Sequence, residues 1–395
     1  MSSLILVKAT TGTSYTLYRW DGSSWGSSAL DASIDHQRPR PYAITDSKYF
    51  VVDVGGFANP RTKSAGSQAV SPAQKTLDSG STWTSAALGD ETSSGGDEFT
   101  GFAHIVVAVD GRIWGVRQKG TTTAHPVRSE IYYSDDDGVT WTLSSTLSVS
   151  SSARFPIRLL VHPTDANTIA IISAANYDLD DRCITYITTN RGSSWSTNGA
   201  TVASGNNFVV DSKNSFIGTK HWVMLSTGRI VAIHGTIGGD SKIYTSDDSG
   251  TTWTLRLDAS LANTYMILAG GTTSKLVTFR ARNSVGTTHD DYAFVSTDAG
   301  VTWTQTGAVH PRTDVAGNNW SAKYDPVSDT LYVYQGDVTG ANAHRVESFT
   351  PVTAGGTWTD VSSGLASGTG NWDSIDIFPS VIPLPATYRG NVTWI

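Results

Sequence analysis

Arginines, histidines and acids gather in a few polar stretches of this chain, and their types suit one kind of chemistry. Arg40, Arg154, Arg282, Arg312 and Arg345 can each offer a planar fork of N–H donors to a carboxylate or to paired hydroxyls. His289 and Asp290 add a titratable pair, and Trp320 and Trp372 offer flat apolar faces. Forked donors beside an aromatic face suit a sugar ring. These positions are the candidate ligand-binding residues, and none is nominated as catalytic. His310 and His344 lie in the same stretches, as do Arg38, Arg61, Asp97, Glu98, His125, Asp180, Arg182, Asn318 and Asn319. Taken singly, each reads more simply as a solvated charge or a local ion pair; the collection carries the expectation. Asn176-Tyr-Asp178-Leu-Asp180-Asp181 spaces oxygen ligands on alternate residues, as calcium loops do, but lacks the glycine and the distant Glu. The histidines show no ligand pair at short spacing. No metal and no cofactor is expected.

These residues need a scaffold, and a period in the sequence supplies one. Tryptophan recurs at Trp25, Trp83, Trp141, Trp195, Trp253, Trp303 and Trp358, with gaps of 58, 58, 54, 58, 50 and 55. Seven units of about 56 residues use the whole chain, which asks for a repeat architecture. The same eight residues precede and include three of the tryptophans: Ser134 to Trp141, Ser246 to Trp253 and Ser296 to Trp303. A fourth copy, Thr76 to Trp83, exchanges Ser for Thr. The pattern is Ser/Thr-x-Asp-x-Gly-x-Thr-Trp. Thr188 to Trp195 has Asn190 for Asp, and the copies before Trp25 and Trp358 are degenerate. The aspartate can accept turn N–H groups, the glycine can take a positive φ, and the tryptophan opens the next strand with its ring beneath the turn.

Three further strand-like runs fill each period. Between Trp83 and Trp141 they are 103–109, 112–117 and 130–134, with 141–143 starting the fourth strand. Four antiparallel strands repeated radially make a propeller blade. The first unit has only three strands, 4–8, 15–20 and 24–28, and lacks the innermost. The segment 372–378 resembles an inner strand and is expected to complete that blade. The fold expected is therefore all-β: a seven-bladed propeller over residues 1–378, with 379–395 as an outer strand or attachment tail.

Composition agrees. Only 16% of residues are charged, 38% are hydrophobic, and the net charge is −7. No basic nucleic-acid footprint is present. No apolar run approaches the roughly 18 residues of a membrane span. The start of the chain lacks the basic flank and long apolar stretch of a secretory signal. The single cysteine, Cys183, excludes an intrachain disulfide framework and reads as a small core residue. Glu is scarce beside Asp (4 against 31), as suits turns over helices.

The repeated turn resembles the Asp box, or BNR repeat, of sialidase-like β-propellers. The resemblance covers about residues 76–303 and fades beyond. It implies that these aspartates staple the fold and take no part in catalysis. It also invites comparison with the sialidase site, which clamps a carboxylate with three arginines and activates a Tyr nucleophile with a Glu. Arg154-Phe-Pro156 has the shape of that family's first arginine motif but falls between the third and fourth units. Arg38-Pro-Arg40-Pro41 lies nearer the expected place without the family's internal spacing. Glu91, Glu98, Glu130 and Glu347 are the chain's glutamates, and none has a recognisable Tyr partner in the sequence. Seven units also exceed the six blades usual in sialidases.

In a four-stranded meander, the turns between first and second and between third and fourth strands share one face. That face carries the Asp boxes. Long polar loops occupy the other: 54–68, 86–101, 117–128, 174–182, 198–219, 280–291, 305–319 and 335–345. Recognition is expected there. The function expected is non-catalytic recognition of a glycan or bacterial cell surface, as by a phage tail, fibre or spike adhesin. Such a protein would be assembled in the cytoplasm and act in the virion or outside the cell, beside other virion proteins. The alternatives are a glycan-degrading enzyme (glycoside hydrolase or polysaccharide lyase) and a structural propeller that docks a protein. No nucleic acid and no membrane span is expected.

Overall fold

The computed structural model describes residues 3–11, 14–30, 39–43, 48–53, 73–85, 102–119, 128–148, 155–174, 182–201, 222–235, 241–258, 264–271, 274–282, 291–311, 318–337, 345–353, 355–365 and 374–378. They form seven four-stranded antiparallel sheets, and the fold is an all-β, seven-bladed propeller. Blade 1 holds β1 (Ser3–Thr11), β2 (Ser14–Trp20) and β3 (Trp25–Ala29). Blade 2 holds β4 (Pro39–Ala43), β5 (Tyr49–Asp53), β6 (Ala73–Thr76) and β7 (Thr84–Ser85). Blade 3 holds β8 (Phe102–Val107), β9 (Ile113–Lys119), β10 (Arg128–Ser134) and β11 (Thr142–Ser148). Blade 4 holds β12 (Phe155–Val161), β13 (Ile169–Ala174), β14 (Arg182–Thr188) and β15 (Ser196–Thr201). Blade 5 holds β16 (Trp222–Met224), β17 (Ile230–Gly235), β18 (Ser241–Ser246) and β19 (Thr254–Asp258). Blade 6 holds β20 (Thr264–Gly271), β21 (Leu276–Arg282), β22 (Tyr292–Ser296) and β23 (Thr304–Val309). Blade 7 holds β24 (Asn318–Asp325), β25 (Thr330–Asp337), β26 (Arg345–Thr350) and β27 (Thr357–Asp360), and β28 (Ser374–Phe378) follows.

The ring closes as the strand count requires. β28 pairs with β1 antiparallel, from Ser3 opposite Phe378 to Val7 opposite Ser374. It is the innermost strand of blade 1, so the first blade is built from both ends of the chain. The unpaired inner edge that β1 would otherwise leave is covered. Residues 379–395, expected as an outer strand or tail, lie outside the described residues.

The core lies in the seams between blades. Strands alternate their side chains, so each sheet buries both faces against its neighbours. One cluster joins Trp114, Val116 and Ile131 of blade 3 to Leu159, Ile169 and Ile171 of blade 4. Another joins Phe279 and Ala293 of blade 6 to Trp320, Val333 and Phe349 of blade 7.

The aspartate turns sit between third and fourth strands and hold themselves locally. In blade 3, Ser134 Oγ donates to Asp136 Oδ1 (2.7 Å) and accepts from the Gly138 amide (2.8 Å). Asp136 then accepts the Thr140 amide (2.8 Å) and hydroxyl (2.6 Å). The same bonds recur around Asp78, Asp248 and Asp298. Asn190 reproduces them with its amide, donating to Ser194 Oγ at 2.7 Å. In the degenerate first copy Asp21 takes over, accepting the Ser23 and Ser24 amides at 2.8 Å. The Thr140 hydroxyl and amide hold the Asp136 carboxyl down at about 2, and Asp298 is held at about 2 in the same way by Thr302.

In the turns around Asp78, Asp136, Asn190, Asp248 and Asp298 two consecutive residues have positive φ, for example Asp137 (58°) and Gly138 (75°). The second must be glycine for a further reason. A Cβ on Gly138 would strike Phe50 of blade 2, and one on Gly192 would strike Trp114 of blade 3. Each turn is thus plugged into the preceding blade. The tryptophan rings are only half-buried, a smaller burial than the sequence suggests; Trp141 lies 4.4 Å from the Phe102 ring, centroid to centroid. Ion pairs tie blades together on this face: Lys48–Asp137 (2.6 Å), Arg191–Asp110 (2.6 Å) and Lys275–Asp329 (2.5 Å).

Candidate site at the seam of blades 6 and 7

At the opposite end of the strands, polar side chains are buried between blades 6 and 7. Arg345 opens β26, and Glu347 follows two residues later, on the same face. Register places Gln335 of β25 opposite Arg345, and Asp360 of β27 opposite Glu347. This face looks onto blade 6. There, His310 follows β23, its amide donating to the Asp291 carbonyl at 2.8 Å. Asp291, His310, Gln335 and Glu347 are all buried.

Charge links them. His310 Nε2 lies 2.5 Å from Glu347 Oε2, a close polar contact set off the hydrogen-bonding direction. Arg345 Nη2 lies 3.2 Å from Glu347 Oε1 and donates to Asp360 Oδ2 at 3.0 Å. Exposure rises outward along this chain: 0% for the His310 side chain, 2% for Glu347, 23% for Arg345 and 49% for Asp360. Trp358, Trp320 and Phe279 wall the His310 ring edge-on, at 4.5, 5.4 and 5.4 Å.

Asp360 is fixed as well as charged. The Ser362 amide donates to its Oδ1 at 2.8 Å. Burial pushes its carboxyl up, but the Ser362 hydroxyl and amide, with Arg345, outweigh that and hold it below the usual carboxylate range. Ser362 Oγ accepts the Val346 amide (2.8 Å), and Trp25 Nε1 of blade 1 donates to the Val361 carbonyl (2.8 Å). Three blades therefore converge on this corner.

Glu347 has a counterpart. It stands eleven residues ahead of Trp358, as Glu130 stands ahead of Trp141. Glu130 is buried in blade 3 and accepts a 2.9 Å hydrogen bond from the Tyr132 hydroxyl. A glutamate with a tyrosine partner is thus present, contrary to the sequence expectation. The pair is two residues apart on one strand, a spacing with no motif to mark it. Elsewhere, buried His104 accepts the Leu159 amide of blade 4 on Nδ1 at 3.3 Å. His104 and His310 thus join neighbouring blades, while the bond of Glu130 to Tyr132 stays within its own strand.

Of the residues nominated from sequence, Arg345 belongs to this cluster. Trp320 does too, but as a wall: β24 begins two residues earlier, at Asn318, and turns the Trp320 ring into the seam, where only 3% is exposed. The ring is covered by protein and presents no face to a sugar. Arg40 falls on β4 opposite Val52, and Arg282 ends β21 opposite Thr264. Arg154, His289, Asp290, Arg312 and Trp372 lie outside the described residues, as does the calcium-like stretch 176–181. Glu347, Asp360, Asp291 and Gln335 were not nominated. The alternation Arg345-x-Glu347, read with Glu130 at the equivalent place, is the signal that could have found the first of them.

Among the described residues no group of three or more His, Cys, Asp or Glu could hold a metal ion. No helix among them is long and apolar enough to cross a membrane. No known family and no curated protein matches the sequence. Solved structures do match in fold. A Bacteroides fragilis protein assigned to the 6-phosphogluconolactonases is 12% identical over 95% of this chain and 97% of its own, with a TM-score of 0.53. Polysaccharide lyase Uly1 is 9% identical over 87% of this chain and 86% of its own, with a TM-score of 0.52. A PL25 ulvan lyase is 10% identical over 91% and 92%, with a TM-score of 0.47. These likenesses extend to the β-propeller fold.

Proposed function

We propose that this propeller acts on a polysaccharide through the face opposite the aspartate turns, as a glycoside hydrolase or polysaccharide lyase. The observation that carries the reading is the asymmetry of the two ends. Aspartate turns and ion pairs close one end, while the other gathers a buried polar layer that surfaces at Arg345 and Asp360. Recognition and catalysis favour segments carried on a rigid scaffold, and the sequence places its long polar stretches between these strand ends. The fold likeness to a polysaccharide lyase supports the substrate class, by analogy only. The aspartate turns are read as Asp boxes, which serve the fold.

Non-catalytic recognition of a cell-surface glycan, as by a phage tail, fibre or spike protein acting outside the cell, is the second reading. It is favoured by the engagement of Glu347, Asp360 and Glu130 with protein partners, which leaves these carboxylates committed. Incubation with a panel of neutral and acidic polysaccharides separates the two. New reducing ends, or the ultraviolet absorbance of an unsaturated uronate, establish degradation. Retention on an immobilised glycan without product supports recognition. Neither outcome across the panel removes both readings.

A further inference from the structure

We infer that the outer edge of the seam between blades 6 and 7 is a subsite for an uncharged sugar unit. Arg345 and Asp360 would touch the sugar, and Glu347 with His310 would position Arg345. This rests on the polysaccharide reading above and names the class of unit bound at one place.

The guanidinium is held by one corner. Nη2 serves both Glu347 Oε1 and Asp360 Oδ2, and Nε and Nη1 have no partner among the described residues. Those N–H groups can donate to sugar hydroxyls, while Asp360, half exposed, can accept from them. Both groups are fixed before any ligand arrives, by Glu347 from within and by the Ser362 turn from without. Such preorganisation lowers the entropic cost of binding.

The fold itself does not demand the buried carboxylate. The same position, eleven residues before the turn tryptophan, is Lys242 in blade 5 and Tyr292 in blade 6. Burying a carboxylate costs several kcal/mol unless it is paired. Here the pairing reaches the surface at Arg345. The charge balance then selects the ligand. One guanidinium faces two carboxylates, so the set is negative, or neutral when His310 is protonated, and never positive. A uronate or sulfated unit would find no net positive charge to hold it; a neutral sugar needs none.

Binding of the full chain to arabinan and galactomannan, set against polygalacturonate and ulvan, tests this with thermal unfolding as the control. Arg345→Ala should weaken neutral-polysaccharide binding by about tenfold or more, measured well below its melting temperature, which should itself fall because the buried Glu347 loses one of its partners. Arg345→Lys should fail to rescue it. Asp360→Asn should move the preference toward the acidic polymers, a change that a purely structural role would not produce. Neutral binding untouched by Arg345→Ala, or a wild type that prefers acidic polymers, overturns the subsite and leaves the polysaccharide reading standing. A wild type that binds none of the four overturns both.

Discussion

The two ends of the blades solve the same problem, a polar group at a strand terminus, in opposite ways. At one end Asp136 finds its partners within four residues, and its carboxylate stays exposed. At the other, Glu347 finds its partner His310 on a different blade, and both are buried. A local, solvated network can be copied, and similar turns appear around Asp78, Asp248 and Asp298. A buried, non-local network must be satisfied individually, as His310, Glu347 and Arg345 are at the seam of blades 6 and 7. Local repetition marks the scaffold, and the network that crosses between blades marks the candidate site.

The comparison can be broken from either side. Glu347→Ala should have the largest effect, about 3–5 kcal/mol by urea unfolding, because it strands His310 and Arg345. A loss under about 1 kcal/mol would mean that the pair is not coupled as its geometry implies. Gly138→Ala should follow at about 3 kcal/mol, from a left-handed residue with a side chain and the collision with Phe50. Asp136→Ala should cost about 1–2 kcal/mol, as loss of a capping carboxylate does elsewhere. Combined with Asp298→Ala in blade 6 the costs should add, since each network is local. Strong non-additivity would refute that independence.

Acid should act on the turns in a defined window. Asp21, Asp78, Asp136 and Asp298 are all held at about 2 in the folded protein, against an ordinary 3.8. A lowered folded value contributes stability that is present above the unfolded value and lost as pH falls through the folded one. The difference in stability between wild type and Asp136→Asn should therefore narrow between about pH 4 and about pH 2. A difference that stays constant across that window would show the carboxylate is not held. The smallest effect should come from Lys48→Ala on the aspartate-turn face. Its ion pair with Asp137 is partly exposed, and its loss should cost at most about 1 kcal/mol.

Much of the scaffold was legible because its information is local. The turn needs eight consecutive residues, and the closing strand is announced by a first unit one strand short. Strand limits were less legible: β24 begins at Asn318 and β23 runs to Val309, into segments that read as loops. Backbone pairing extends a strand wherever a partner is in reach, whatever the side-chain polarity. The site was legible only in part. Arg345 could be nominated by type, whereas Trp320, nominated as an open face, proved to be seam packing. Tyr132 beside Glu130 and His310 beside Glu347 had no signature, the first because spacing by two is common in any strand, the second because its members come from different blades.

By itself, the sequence determined the number of blades, the closure of the ring by its two ends, and the aspartate turns between third and fourth strands. The blades and turns repeat and are marked by residues adjacent in the chain, and the closure follows from a first unit one strand short. Tertiary structure alone decided which polar residues would meet across a seam, which would be buried and which would reach the surface. Burial and pairing depend on what the neighbouring blade places opposite, and that neighbour lies tens of residues away along the chain.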